Sequence, residues 1–180
     1  MEEIKIHASK TLFEHAILRI VVDSVEYQGH QGRFMYLDSQ INAVATLGIT
    51  QDNQVLLTRQ YRHPIRQVIL DLPAGKLNPG EDELAGARRE FEEETGYAPG
   101  EIFKLGKYNQ FPGMLHAYTH LFFARQLMKT HQHLDEGEYL EVVTLPVEEL
   151  LNRVLAGEFI DGSLQLALLL AFQRGLVKTG

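Results

Sequence analysis

Cysteine is absent from this chain of 180 residues, so disulfide bonds, thiolate nucleophiles and cysteine-ligated metal centres are excluded. Long apolar runs are also missing, because the most apolar segment, residues 164–172, is interrupted by Gln165 and is far shorter than the roughly 20 residues that cross a bilayer. Positive charge is not in excess, since the formal net charge is −7, and this argues against a nucleic-acid scaffold. We therefore expect neither a membrane nor a nucleic acid as partner, and the acidic start Met1-Glu2-Glu3 favours a cytoplasmic location.

Secondary-structure signals run through the whole chain. Recurring β-branched and aromatic residues between turn residues predict strands, and apolar residues at helical spacing predict helices. The predicted strands cover residues 16–28, 33–37, 41–49, 53–60, 67–72, 101–108, 117–126 and 139–144, and two predicted helices lie near residues 147–156 and 162–174. This order predicts a mixed sheet between helices, and neither a Ser/Gly linker nor a repeat divides it.

The most informative segment is the glutamate-rich run at residues 89–97. A helix turns by about 100° per residue, so Glu90, Glu93 and Glu94 lie within roughly 100° of one another on one face. An apolar stripe that includes Phe91 lies beside this face and can hold it next to a core. The run is therefore predicted to place three carboxylates at one site.

Three neighbouring carboxylates repel one another and require compensating positive charge. Oxygen ligands without cysteine suit hard cations better than zinc or copper. We therefore expect Mg2+, with Mn2+ as a possible substitute, to be bound by Glu90, Glu93 and Glu94. Glutamate runs on helices are more commonly solvated surface, so the spacing of the surrounding residues has to decide between the two interpretations.

That spacing is specific. The pattern is, in order, Gly75, Glu81, Arg89-Glu90, the apolar residue Phe91, Glu93-Glu94, Gly96 and Tyr97, with five residues between the first two and seven between Glu81 and Arg89. A match at nine constrained positions arises by chance on the order of once per hundred million starting points. The pattern resembles the Nudix box. The resemblance implies a Nudix-type α/β/α sandwich with a mixed sheet, preceded by an N-terminal antiparallel β-sheet, and a hydrolase of nucleoside diphosphates linked to another moiety.

The remaining residues of the box are expected to have structural roles. We expect Gly75 to have a structural role in the loop before the helix, Glu81 to lie in the first turn of the helix, and Arg89 to pair with a neighbouring carboxylate such as Glu81. Gly96 is expected to end the helix. The carbonyl of Ala74 is expected to be a further metal ligand.

Residues outside the box point to a substrate class. The segments 60–64 and 71–75, together with Pro112 sixteen residues after Gly96, resemble those of ADP-ribose pyrophosphatases and related nucleoside-diphosphate-sugar hydrolases. The resemblance implies that Phe111 and Pro112 border the substrate pocket.

Four side chains are candidates for contacts with that substrate. Arg62 and Arg66 each offer a planar fork to a diphosphate, although an ion pair with a surface carboxylate is the alternative for both. Tyr61 and Phe111 can stack on a base, although an aromatic residue in a strand is more often part of the core.

A second acidic cluster follows at residues 135–141. It resembles the loop that supplies a catalytic acid late in the chain of the same subgroup, and Gly137 favours a mobile loop. We expect Glu136 to be the catalytic base and Glu138 an additional metal ligand. Ordinary solvated loop charge is the alternative for both residues.

These expectations describe a Mg2+-dependent pyrophosphohydrolase in which Glu93 and Glu136 are catalytic. The expected substrate is ADP-ribose, with GDP-mannose next, and the products are a nucleoside monophosphate and a sugar phosphate. A non-hydrolytic sensor domain that binds ADP-ribose or NAD is the alternative, but such domains commonly lose box carboxylates that this chain retains. Residues 1–40 are expected to form the N-terminal sheet and to pair in a homodimer, and residues 41–180 to form the Nudix domain, in one compact unit overall.

Overall fold

The structure, a computed structural model, describes residues 3–39 and 41–178. Two compact units are formed, one by Met1–Asn42 with Asn109–Tyr118 and the other by Ala43–Tyr108 with Thr119–Gly180. Among the described residues, no helix is long and apolar enough to cross a membrane.

The first unit contains a four-stranded sheet. Its strands are β1 (Lys5–His15), β2 (Leu18–Tyr27), β3 (His30–Ser39) and β9 (Leu115–His116), in the order β1-β2-β3-β9. The first three strands are antiparallel, as predicted, and β9 pairs with β3 in parallel. The strand β1 was not predicted, because it is exposed along its whole length and lacks a regular apolar alternation.

The second unit is built on a larger mixed sheet. Its strands are β4 (Ala43–Ile49), β5 (Gln54–Arg62), β6 (Gln67–Asp71), β7 (Ala74–Lys76), β8 (Tyr97–Tyr108), β10 (Thr119–Lys129) and β11 (Leu140–Pro146), and a 3-10 turn covers His63–Ile65. The main path is β11-β5-β4-β10-β8, with β6 paired to β5 and β7 paired to β4. Only β4 and β10 run parallel within the described part of this sheet, so the sheet is mixed.

Helices cover both faces of this sheet. They are α1 (Glu83–Thr95), α2 (Val147–Leu155) and α3 (Gly162–Gln173). Alternate residues of β4 belong to opposite cores: Val44 lies in the cluster that contains Phe91 of α1, and Leu47 lies in the cluster that contains residues of α2 and α3. A strand covered on both faces is apolar throughout rather than alternating, which explains its sequence. The predicted α/β/α arrangement is confirmed.

Candidate active site

The helix α1 is fixed at both ends by local sequence. The carboxylate of Asp82 accepts hydrogen bonds from the backbone N–H groups of Leu84 and Ala85, which satisfies donors that have no partner inside the helix. At the other end Gly96 has a φ of 70° and donates its N–H to the carbonyl of Glu92, so it ends the helix as predicted. Glu81 was expected in the first turn of the helix, but it precedes the N-cap Asp82. Its carboxylate accepts hydrogen bonds from the N–H of Asn78 and from Arg89.

Arg89 is the positive centre of the acidic cluster. Its guanidinium donates to Glu81 at 2.8 Å, to Glu90 at 2.8 Å and to Glu93 at 3.0 Å. The hydrogen bonds from Arg89, helped by the N–H of Asn78, lower the pKa of Glu81 to about 2, and the pKa of Arg89 itself is raised chiefly by Glu81. The expected pairing of Arg89 with Glu81 is therefore present, and the same guanidinium offsets the repulsion between the box carboxylates.

Glu94 lies deepest in the cluster, with 4% of its surface exposed. Its carboxylate accepts a hydrogen bond of 2.8 Å from the N–H of Ala74. Burial raises the pKa of Glu94 to about 8; the N–H of Ala74 opposes this shift, whereas the charges of Glu90, Glu138 and Asp71 add to it. The group is therefore a desolvated carboxylate whose ionised form needs a cation nearby.

Gly75 makes room for the carboxylate of Glu90. A Cβ atom at residue 75 would lie 2.0 Å from the carboxyl carbon of Glu90, which is impossible without displacing that side chain. Burial raises the pKa of Glu90, while the hydrogen bond from Arg89 lowers it. Residue 75 is therefore required to be glycine, because any Cβ atom there would occupy the space of the Glu90 carboxylate.

The donor set suits a hard divalent cation. Glu90 and Glu94 offer carboxylate oxygens, burial raises the pKa values of both groups, and carboxylate oxygens suit Mg2+ or Mn2+. Among the described residues, no three His, Asp or Glu side chains are grouped closely enough to hold an ion by themselves. Glu90 and Glu93 each direct an oxygen atom at Arg89.

The late acidic loop is closed by two hydrogen bonds between Asp135 and Glu138. The N–H of Glu138 donates to the carbonyl of Asp135 at 3.0 Å, and the carboxylate of Glu138 accepts from the N–H of Asp135 at 3.2 Å. Gly137 has a φ of 90° in this turn. Glu136 and Glu138 are both exposed, and the charge of Glu138 contributes to the raised pKa values of Glu90 and Glu94.

Arg62 is held by a buried carboxylate. Its Nε donates to Asp71 at 3.0 Å, and Asp71, which is 2% exposed, also accepts from Thr58 at 2.6 Å and from Gln60 at 3.1 Å. Arg62 therefore forms an ion pair, but with a buried carboxylate and not with the surface carboxylate that was the alternative. Because 41% of the Arg62 side chain remains exposed, the pair also orients a guanidinium that solvent can reach.

The other candidate substrate contacts are exposed. Arg66 lies in the turn between β5 and β6 with a left-handed φ of 53°, and Tyr61 on β5 is 55% exposed rather than part of the core.

Phe111 and Pro112 belong to the first unit. Phe111 is 56% exposed, its N–H donates to the side chain of Asn109 at 2.8 Å, and its carbonyl accepts from the N–H of Leu115 at 2.8 Å. The segment is therefore an ordered turn, and its role toward the substrate stays a prediction.

Two residues beside the site were not found from the sequence. Asp161, at the N-cap of α3, has a pKa raised mainly by burial and lies within electrostatic reach of Asp71 and Arg62. Gln132 donates its side-chain amide to the carbonyl of Glu94 at 2.7 Å. Asp161-Gly162-Ser163 gave a signal for a helix start only, and Gln132 lies in a polar segment that gave no signal.

Similarity to known proteins agrees with this geometry. The NUDIX domain family matches residues 40–164. The chain belongs to the Nudix family. An ADP-ribose pyrophosphatase of Bacillus subtilis (strain 168) is 31% identical over 88% of this chain and 87% of its own length. A methanol dehydrogenase activator of Bacillus methanolicus is 32% identical over the same shares.

A solved structure described as an ADP compounds hydrolase has the same fold. Its TM-score is 0.87 at 21% sequence identity, with 98% of this chain and 97% of that chain covered. The predicted Nudix family, its α/β fold and the predicted hydrolase class are confirmed. Nudix hydrolases generally use divalent metal ions, in agreement with the oxygen donors on α1.

Proposed function

We propose that this Nudix protein hydrolyses the diphosphate of a nucleoside diphosphate sugar, with ADP-ribose as its preferred substrate and GDP-mannose next. The observation that carries the proposal is the complete set of box carboxylates. Glu94 accepts a hydrogen bond from the N–H of Ala74, and Arg89 donates to Glu81, Glu90 and Glu93. The names of two relatives, an ADP-ribose pyrophosphatase and an ADP-sugar pyrophosphatase of Mus musculus, support the substrate class.

Mg2+, with Mn2+ as a substitute, would be held by carboxylate and carbonyl oxygens. The proposed ligands are the side chains of Glu90, Glu93, Glu94 and Glu138 and the carbonyl of Ala74. When bound, such ions neutralise a diphosphate and make a bound water more acidic. Burial of Glu94 supports this assignment, because a desolvated carboxylate gains most from a nearby cation.

Two carboxylates are proposed to act on the attacking water. Glu136 is the proposed base and accepts the proton of that water as phosphorus is attacked. Glu93 is the most exposed of the box carboxylates, with 38% of its side chain accessible, and it orients the water beside the phosphorus. The P–O bond of the bridge then breaks, giving AMP and ribose 5-phosphate from ADP-ribose, or GMP and mannose 1-phosphate from GDP-mannose.

Arginine and aromatic side chains are proposed to bind the substrate. Arg62, oriented by Asp71, donates to a phosphate, and Arg66 is a second donor of the same kind. Tyr61 or Phe111 stacks on the base, and Pro112 shapes the turn that carries Phe111.

We also propose that the protein is a cytoplasmic homodimer that pairs through residues 1–40. Large apolar side chains exposed on the strands β1 and β3 support this assembly, because their burial by a partner is favourable. They are Ile6, Leu12, Phe13, Phe34 and Met35. The molar mass in solution, measured by light scattering, tests this; a monomer of 20.5 kDa would contradict it.

A panel of nucleotide sugars tests the substrate proposal. Each compound is incubated with the protein and Mg2+, and a phosphatase that acts only on monoesters then releases phosphate from any product. We expect the highest specificity constant for ADP-ribose. Release of phosphate from none of the compounds would contradict the proposal and favour the sensor domain instead.

A further inference from the structure

A short segment, Thr130–His133, is bonded to the end of the helix that carries the box carboxylates. Three hydrogen bonds join them: Thr130 N–H to the carbonyl of Gly96 at 2.7 Å, His133 N–H to that of Glu93 at 2.8 Å, and the Gln132 side chain to that of Glu94 at 2.7 Å. The last four carbonyls of a helix have no partner within the helix. We name Thr130–His133 the anchor segment. It binds the backbone carbonyls of Glu93 and Glu94, two residues whose side chains are proposed metal ligands.

The backbones of the anchor segment and of Gly96 are in close contact. A Cβ atom on Gly96 would lie 3.0 Å from the backbone nitrogen of Gln132 and 3.4 Å from the carbonyl carbon of His131. A side chain at residue 96 would therefore push the segment away from the helix, in addition to straining the left-handed backbone that ends it.

The acidic loop begins immediately after the anchor segment. Five residues lead from His133 to Glu138, so the loop can extend by no more than about 17 Å from its attachment. The turn of Asp135 and Glu138 is closed by their two mutual hydrogen bonds. In the proposed function, the carboxylate of Glu138 has to reach the box carboxylates of α1 from this attachment.

We propose that Gln132 is a positioning residue for the hydrolysis: its side chain fixes the start of the acidic loop to α1 and so limits the positions that Glu138 can reach. Fixing the start of a flexible loop lowers the conformational entropy that is lost when its charged group takes up a catalytic position. This inference rests on the proposed function, because it assigns Gln132 to the same site. The alternative is that Gln132 only caps the helix.

A double-mutant cycle separates positioning from capping. Gln132→Met keeps the length of the side chain and removes its donor, and Glu138→Gln removes the charge while retaining an oxygen that can accept from Asp135. We expect Gln132→Met to lower kcat on the order of tenfold with KM nearly unchanged, and to have no further effect in the Glu138→Gln background. Gln165→Met is the matched control, because the side chain of Gln165 also donates to a backbone carbonyl, that of Phe159 at 2.9 Å.

Amide hydrogen exchange supplies a readout that needs neither metal nor substrate. In Gln132→Met the N–H groups of Asp135 and Glu138 are expected to exchange faster than in the parent protein, because the loop has lost one attachment. In Gln165→Met their exchange is expected to stay at the parental rate. If Gln132 only caps the helix, Gln132→Met will change the exchange rates at the end of α1 and leave those of the loop unchanged.

The outcomes separate this inference from the proposed function. Independent, multiplicative losses of kcat in the double variant, or unchanged kcat and exchange in Gln132→Met, would overturn it. Parental activity in Glu138→Gln would overturn both the role of Glu138 and this inference. Failure of the parent protein to cleave any nucleotide sugar would instead overturn the proposed function, and the exchange rates at Asp135 and Glu138 would then decide whether Gln132 holds the loop.

Discussion

The acidic face of α1 and the acidic loop at Asp135–Glu138 are held in different ways. The carboxylates on α1 are held by packing, by Arg89 and by the N–H of Ala74. The loop is exposed, turns at Gly137 and is attached through its neighbouring segment. The carboxylates on α1 are therefore positioned before any ligand binds, whereas the exposed loop can adjust its position. Changes in the first should therefore cost more activity.

The largest expected loss follows from neutralising a carboxylate on α1. We expect Glu94→Gln and Glu93→Gln each to lower kcat by about a thousandfold, on the scale of losing a metal ligand or a preorganised charge. Glu94→Gln keeps the shape and the acceptor for the N–H of Ala74, and it removes a carboxylate whose ionised form is disfavoured by burial. Its melting temperature without metal should therefore equal or exceed that of the parent, as measured by calorimetry.

A change at Gly75 is expected to have the next largest effect. Gly75→Ala places a methyl group where the carboxylate of Glu90 lies, so Glu90 has to move, and kcat should fall by about a hundredfold. Gly106→Ala is the control, because a Cβ at that position meets no atom within 4 Å. Steady-state kinetics of both variants tests this prediction. Equal kcat values for Gly75→Ala and Gly106→Ala would show that the position of the Glu90 carboxylate does not affect the rate.

A smaller effect is expected in the loop, and it separates its two glutamates. Glu138 contributes to the field at Glu90 and Glu94, so Glu138→Gln should lower kcat by about tenfold. If Glu136 is the base, Glu136→Gln should lower kcat further and abolish the acid limb of the pH–rate profile. A Glu136→Gln variant with parental kcat and an unchanged profile would remove Glu136 from the mechanism.

The smallest effect concerns stability in acid. The pKa of Glu81 is lowered to about 2 in the folded protein, chiefly by Arg89, so folding favours its carboxylate. A lowered pKa contributes stability that is complete above about pH 4.5 and is lost as the pH falls toward 2. Urea unfolding should therefore show Glu81→Gln to be less stable than the parent at pH 7, with a gap that narrows below pH 4.5.

A surface ion pair provides the control for that experiment. Glu101 pairs with Arg125 at 2.6 Å, with 41% and 49% of their side chains exposed, and such pairs contribute little. Glu101→Gln should change the unfolding free energy less than Glu81→Gln does at pH 7. A gap for Glu81→Gln that stayed constant between pH 7 and pH 3 would contradict the assignment of the lowered pKa.

The sequence predicted the parts of the fold whose signals are local. The apolar strand β4, the helix end at Gly96 and the pairing of Arg89 with Glu81 all follow from residue type and spacing, and the structure contains them. The α/β/α layers follow from the order of strands and helices. The short strands β7 and β9 were missed, because pairs formed by two or three residues leave no periodic pattern.

The contacts missed at the site are long-range. Gln132 lies 38 positions from Glu94 in the chain, and nothing in its polar surroundings marks it as a partner of the helix. The bond between Arg62 and Asp71 depends on the register of β5 with β6, which propensity alone does not set. The sequence therefore predicted which residues of the site are charged, whereas the partner of each side chain could be identified only from the folded structure.

The most direct test of the account is the rate of AMP formation from ADP-ribose as a function of Mg2+ concentration. The account predicts a rate that rises to saturation with Mg2+ in the parent protein and falls to background when a chelator is added, because the oxygen ligands on α1 act through a divalent cation. The same rate of AMP formation with and without the chelator would contradict it.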